Sequence, residues 1–247
     1  MIIRKIPEEI EAIARAGRIL RGCLDVLSQK VEPGVSTKEL DRLAEEFIRG
    51  HGGAPTFKGY RGFPGSICTS PNDMVVHGIP GSTRLREGDI VGIDVGVTLD
   101  DFIADAAVTL AVGDVSEEAQ ALMTATRESL MLAVEECWPG KRIGDISHAV
   151  QSHVELRGYS VVRSLVGHGV GRAMHEDPQV PNFGLPGRGP RLSEGMVLAI
   201  EPMINSGGFD VEVGADSWSI FTKDGGLSAH FEHTVAVTAA GPRVLTA

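Results

Sequence analysis

No stretch of this 247-residue chain approaches the ~20 consecutive apolar residues that a membrane-spanning helix needs, and the N-terminal MIIRKIPEEIEAIARAG turns acidic before any apolar run develops. Neither a membrane span nor a signal peptide is therefore expected. Cysteine is scarce: Cys23, Cys68 and Cys137 are odd in number, widely spaced and form no C-x-x-C pair. That count argues against a disulfide framework or a cysteine-rich zinc site, and a reducing cytoplasm is the expected location. An excess of basic charge is also missing, since 23 Lys and Arg face 33 Asp and Glu for a net charge of −10. Such a balance opposes direct binding to nucleic acid or to an anionic membrane. G-x-S-x-G and G-x-x-x-x-G-K-[ST] are both absent, which removes the simplest serine-hydrolase and P-loop readings.

What the chain does have is repetition. Residues 7–30 place Ile10, Ile13, Ala14, Leu20, Cys23 and Leu24 at helical intervals, a Pro33-Gly34 turn follows, and a Ser36-x-x-Glu39 pattern opens a second helix. The order recurs as a long helix from SEEAQALM, a Pro139-Gly140 turn and a helix from DISHAVQ. LREGDIVGIDV at 85–95 also aligns with LSEGMVLAIEP at 192–202, which superposes Asp94 on Glu201. The expectation is a single domain over 1–247 made of two pseudo-symmetric halves, about 1–112 and 113–247, meeting along a shared cleft.

Four acids sit where charge is costly. In GDIVGIDVGV strand alternation puts Gly92, Asp94 and Gly96 on one face, with the glycines leaving Asp94 room. A turn at Leu99 and Asp100 would fold FIADAAVTLAV back and set Asp94 directly opposite Asp105, where two carboxylates repel unless protonated or bridged by a cation. An exposed hairpin with two solvated aspartates is the alternative. Glu201 in MVLAIEPMI and Glu232 in AHFEHTVAVT are likewise acids inside apolar runs and need partners, with Glu232 the repeat counterpart of Asp105 across an insertion that carries Trp218.

His168 lies in VGHGVGR, where flanking glycines permit close backbone approach and leave the imidazole uncovered. His175 and His77 stand beside turn-forming residues and suit a cleft rim, whereas His51, His148 and His153 fall on polar helices and are expected to be solvated. Four carboxylates and an imidazole form an oxygen-rich set suited to Mn, Fe, Co or Zn. Four negative charges also balance two divalent ions, so a bridging water can ionise near neutral pH.

End to end, through GYRGFPGSICTS, NDMVVHGIPG, GDIVGIDVGV, VGHGVGR, HEDPQVPNFG, LAIEPMIN and LSAHFEHTVAVT, the chain resembles the type I methionine aminopeptidases. The resemblance implies the α+β pita-bread (creatinase/aminopeptidase) fold, a central antiparallel sheet flanked by helices. It also implies a metallo-exopeptidase that removes the N-terminal methionine of nascent chains when the second residue is small. By the same resemblance Asp94 chelates one divalent ion, His168 and Glu201 bind the other, and Asp105 and Glu232 bridge both, the ions being Co, Mn, Fe, Zn or Ni. Glu201 would carry the proton, His175 would stabilise the tetrahedral intermediate and His77 would meet the scissile amide. The methionine pocket would draw on Phe57, Tyr60, Phe63, Cys68 and Trp218. Phe63 stands where a tyrosine is common and Met174 where an aromatic is common. A monovalent cation near Asn72, Met74 and Ser228 is implied as well.

The absence of a zinc-finger or basic extension suggests the compact bacterial form, a monomer with transient ribosome association. Prolidases and X-Pro aminopeptidases share the fold and ligands but usually carry an extra N-terminal domain. A peptide- or ribosome-binding protein that lost catalysis is the reading from another class.

Overall fold

The computed structural model describes residues 1–247. Helix α1 (Pro7–Ser28) is read correctly by its apolar spacing, and it buries Ile10, Ile13, Leu20, Cys23 and Leu24. Proline at its first position has no N–H to leave unsatisfied, and acids in that turn meet the positive end of the helix dipole. Ser36 caps α2 (Thr37–Gly50) by accepting the Glu39 N–H at 3.2 Å. Ser116 caps α3 (Glu117–Glu135) in the same way from Ala119, and α4 (Ile143–Glu155) follows the second Pro-Gly turn.

The strands are short except for two. In order they are β1 (Ala54–Pro55), β2 (Cys68–Pro71), β3 (Met74–Val76), β4 (Ile90–Leu99), β5 (Phe102–Ala111), β6 (Ser160–Val161), β7 (Gly167–Gly169), β8 (Glu176–Val180), β9 (Val197–Ile200) and β10 (Met203–Asn205). Then come β11 (Val211–Val213), β12 (Ile220–Thr222), β13 (Ser228–His230), β14 (His233–Thr238) and β15 (Gly241–Val244). All pairings are antiparallel. In one sheet β4 is bonded to β1, β2 and β5; another runs β15-β14-β9-β7-β8. The two are stitched together where Glu232 N–H donates to Ala107 O (2.9 Å) and Asp105 N–H to Thr234 Oγ1 (2.9 Å). The acids of β5 and of the 230–234 segment are thus held side by side.

Equivalent positions around the two Pro-Gly turns make equivalent bonds. Gly34 N–H donates to Leu85 O (2.7 Å) and Gly140 N–H to Leu192 O (2.9 Å); Leu85 N–H returns to Val35 O (2.9 Å) and Leu192 N–H to Lys141 O (2.7 Å). Gly34 and Gly140 have φ of 96° and 98°, a left-handed conformation that a side chain would oppose. Apolar packing is divided between a cluster of 31 buried residues, dominated by α1, α2, β4 and β5, and one of 23, dominated by α3, α4, β9 and β14. Helices α1 and α2 pack on β4, β5 and β1, whereas α3 and α4 pack on β13, β10 and β6 as well as on β8, β9 and β15.

Three expectations are corrected by the backbone. The β4–β5 turn is centred on Asp100 and Asp101, with φ of 50° and 64°, so Asp105 pairs with Gly96 and Asp94 with Ala107. The two aspartates are diagonal neighbours on one face, because two-residue hairpins prefer positive φ at both central positions. Gly96 does not leave room for Asp94: a Cβ there would meet the Phe57 ring at 2.8 Å, so its gap is filled by an aromatic. His153 is not solvated either, since its side chain is 11% exposed and its Nε2 lies 3.1 Å from Glu128 Oε2.

Candidate metal centre

Each of the five expected ligands comes from a different piece of backbone: Asp94 from β4, Asp105 from β5, His168 from β7, Glu201 just after β9 and Glu232 between β13 and β14. All five line one cavity of about 180 Å³. Donor atoms of Asp105, His168 and Glu232 lie within 4.8 Å of one another. His168 Nε2 is 3.6 Å from Glu201 Oε1 and 3.8 Å from Asp105 Oδ2. Two metal–ligand bonds of ~2.1 Å at a tetrahedral angle separate their donor atoms by about 3.4 Å, so these spacings suit a shared ion.

The site's electrostatics point the same way. Asp94 Oδ1, Asp105 Oδ1 and Glu232 Oε1 are buried with no hydrogen-bond partner, a costly state for carboxylates that a cation relieves. Burial pushes Asp94 up to about 7, and burial followed by repulsion from neighbouring carboxylates pushes Asp105, Glu201 and Glu232 well above their ordinary range. His168 Nδ1 lies 2.9 Å from the Gly169 carbonyl, which can only accept, so Nδ1 holds the proton and Nε2 offers its lone pair to the acids. Burial lowers its pKa to about 4 and keeps the ring neutral, as a ligand must be. The glycines around it serve close backbone approach as expected: a Cβ on Gly167 would lie 2.4 Å from Ala199 O, and one on Gly169 would lie 2.2 Å from Asp177 O. The imidazole is nevertheless covered, with 6% of the residue exposed.

The remaining expected residues line the same cavity. His77 stands at φ 61°, and its pKa is lowered by burial and then by His175. His175 is nearer solvent; Tyr60 Oη lies 2.9 Å from its Nδ1, and its ring centroid is 4.3 Å from that of His168. With the tyrosine hydroxyl donating, the His175 proton resides on Nε2. Burial, then the Arg61 charge, lowers its pKa and favours the neutral ring. Phe57, Phe63, Cys68 and Trp218 form the apolar wall, Phe63 and Trp218 meeting edge to face at 5.1 Å, with Met174 also in the lining.

Residues 11–239 match metallopeptidase family M24. The chain belongs to that family. It is 54% identical to a methionine aminopeptidase of Clostridium perfringens, covering 100% of this chain and 99% of the relative, and 51% identical to methionine aminopeptidase 1 of Bacillus subtilis with the same coverages. A crystal structure of a methionine aminopeptidase from Rickettsia prowazekii superposes with a TM-score of 0.99 at 41% identity over 100% of both chains. The M24 fold extends to a Pyrococcus horikoshii prolidase, with a TM-score of 0.81 at 24% identity, of which this chain covers 64%. The pita-bread architecture expected from the sequence is therefore the one observed.

Sequence reading missed three members of this neighbourhood. His230 is buried with Nε2 unpartnered, 3.8 Å from Glu201 Oε2 and 4.0 Å from Glu232 Oε2, and burial drives its pKa to about 3. Its spacing of two from Glu232 was the available signal, since alternate residues of an extended segment share a face. Arg61 lines the cavity mouth. Glu176, next to His175, pairs with Lys5 at 2.6 Å, the two side chains 6% and 3% exposed, and accepts N–H groups of Arg172 and Ala173. No local pattern announces a partner 171 residues away.

Proposed function

We propose that this chain is a methionyl aminopeptidase, a metal-dependent exopeptidase that removes the initiator methionine from nascent proteins when the second residue is small. The observation that carries the reading is the convergence of four carboxylates and a neutral imidazole at one cavity that also presents Phe57, Phe63, Trp218 and the sulfur of Cys68 and Met174. Relatives matched over their full length are named methionine aminopeptidases.

Asp94, Asp105, His168, Glu201 and Glu232 hold two divalent ions, with Co, Mn, Fe, Zn and Ni all compatible with the donor set. Bound there, the ions would supply an acidified water and a Lewis acid for the carbonyl. Glu201, whose side chain is 14% exposed, is reachable from the cavity and serves as the proton carrier. His175, with Nε2–H directed away from Tyr60, donates to the carbonyl oxygen as charge develops on it. His77, held at positive φ beside Gly78, meets the scissile amide. Phe57, Tyr60, Phe63, Cys68 and Trp218 receive the thioether, a soft group that aromatic edges and sulfur accommodate well.

Matching hydrogen bonds at Gly34 and Gly140 support a single domain over 1–247 with halves near 1–112 and 113–247. A monovalent cation near Asn72, Met74 and Ser228 is favoured by the Ser228 N–H to Asn72 O bond of 2.9 Å, which brings two of those residues together. A cytoplasmic monomer that meets ribosomes transiently, without nucleic-acid contact, is consistent with the net charge of −10, and no helix is long and apolar enough to cross a membrane.

The deciding experiment is peptide hydrolysis with and without chelator. Met-Ala-Ser should release methionine, peptides with a bulky second residue should react slowly, and chelation should abolish the rate. Preferential cleavage of Xaa-Pro dipeptides, or a rate that survives chelation, would overturn the reading.

A further inference from the structure

The cavity lining contains four acids, three imidazoles, a thiol and apolar groups, but only one permanent cation, Arg61. Its guanidinium makes no ion pair or hydrogen bond within the chain. It is exposed and lies with Cζ 5.4 Å from the centroid of the Tyr60 ring, which limits where it can swing. The residue sits at φ 49°, in a tight turn between Gly59 at φ 86° and Gly62 at φ 90°, which presents its side chain at the rim beside Tyr60. Tyr60 hydrogen-bonds His175, so the guanidinium is tethered to the same wall as the proposed carbonyl-binding imidazole.

Taking the aminopeptidase reading as given, the first residue of a substrate occupies the closed end among the acids and aromatics, and everything after the cut must leave over the exposed rim. An extended chain advances about 3.3 Å per residue, so the second and third residues beyond the cut lie at the mouth. We propose that Arg61 is a specificity residue that binds a carboxylate in that region of the substrate, two residues or so beyond the scissile bond. The carboxylate comes either from an Asp or Glu side chain or, in a short peptide, from the free C-terminus. A planar guanidinium with no internal partner matches a carboxylate's two oxygens and is not already neutralised.

The test compares kcat/KM of the metal-loaded enzyme on paired peptides: Met-Ala-Glu-Ala-amide against Met-Ala-Gln-Ala-amide, and Met-Ala-Ser against Met-Ala-Ser-amide. The acidic member of each pair should be favoured about two- to fivefold, through KM, as suits an exposed ion pair. The preference should fade in about 0.5 M salt, because mobile ions screen exposed charges over a few ångströms. In Arg61→Gln the ratio should fall to about one, and in Arg61→Glu it should invert. A preference confined to the first pair identifies side-chain recognition, and one confined to the second identifies the terminus; either supports the proposal. Equal rates within both pairs for the wild-type enzyme, or a ratio that survives Arg61→Gln, would overturn it while leaving the aminopeptidase reading intact. Should Arg61→Gln fold poorly, the salt series on the wild-type enzyme decides alone. If no peptide loses methionine, the aminopeptidase reading itself falls.

Discussion

Single side chains at this site are governed by desolvation before anything else. Glu201 lies within 4 Å of two imidazoles and carries a pKa raised first by burial and then by Asp105 and Asp94. Glu201→Gln preserves size and removes the basic oxygen, so kcat should drop about 10²- to 10⁴-fold, the range for losing a positioned acid–base group, as steady-state hydrolysis of Met-Ala-Ser would measure. His230 tests whether a residue that touches two of the acids tunes the ions they hold. Replacing it with leucine leaves Glu201 and Glu232 without that polar neighbour, and divalent-ion affinity by calorimetry should weaken about 10- to 100-fold. An affinity unchanged by the substitution would make His230 a filler of space.

At the level of elements, two connections decide where the side chains point. The β4–β5 hairpin turns on Asp100 and Asp101, both at positive φ, and that turn fixes a register in which Asp94 and Asp105 are diagonal. Asp101→Gly should relieve left-handed strain and raise stability by about 1 kcal/mol in denaturant unfolding, without shifting the register. The second connection is the pair of Lys5 with Glu176, which anchors the loop carrying Met174 and His175. Removing one member leaves the other buried without its charge partner, so Lys5→Met should lower unfolding stability by about 3–5 kcal/mol. A loss below 1 kcal/mol would mean that water takes the lysine's place. Sequence pattern located all four helices and both long strands, yet missed the turn by one position and the Lys5 contact altogether. Periodicity reports which face a residue occupies, and shifting a hairpin turn by one residue moves each cross-strand partner by two and preserves the face.

For the whole molecule, the acids and histidines give opposite pH dependences once the metals are stripped. Carboxyls raised in the folded state stabilise it fully below their unfolded value of about 4 and lose that contribution as pH rises through the folded value. The histidines are lowered, His168 and His233 to about 4 and His230 to about 3, so their stabilising contribution is present above about 6.5 and is lost as pH falls through the folded values. The two groups oppose each other at acidic pH, but from about pH 6.5 upward the contribution of these lowered histidines is complete while that of Asp94 is still being lost through its value of about 7. The melting temperature of metal-free protein should therefore fall as pH rises from about 6.5 through the Asp94 value of about 7, and divalent ions should abolish the fall. A flat or rising profile would contradict the raised carboxyls. The sequence by itself determined the helices, the recurring Pro-Gly turns and the placement of four acids within apolar runs, because helical and strand periods and the cost of burying charge act locally. Only the tertiary structure decided that β4, β5, β7, the end of β9 and the 230–234 segment deliver those acids to one cavity with His168, and that His230, Arg61 and the Lys5–Glu176 pair surround it. Such contacts span up to 171 residues and depend on how two sheets are stitched together, a geometry that no local pattern encodes.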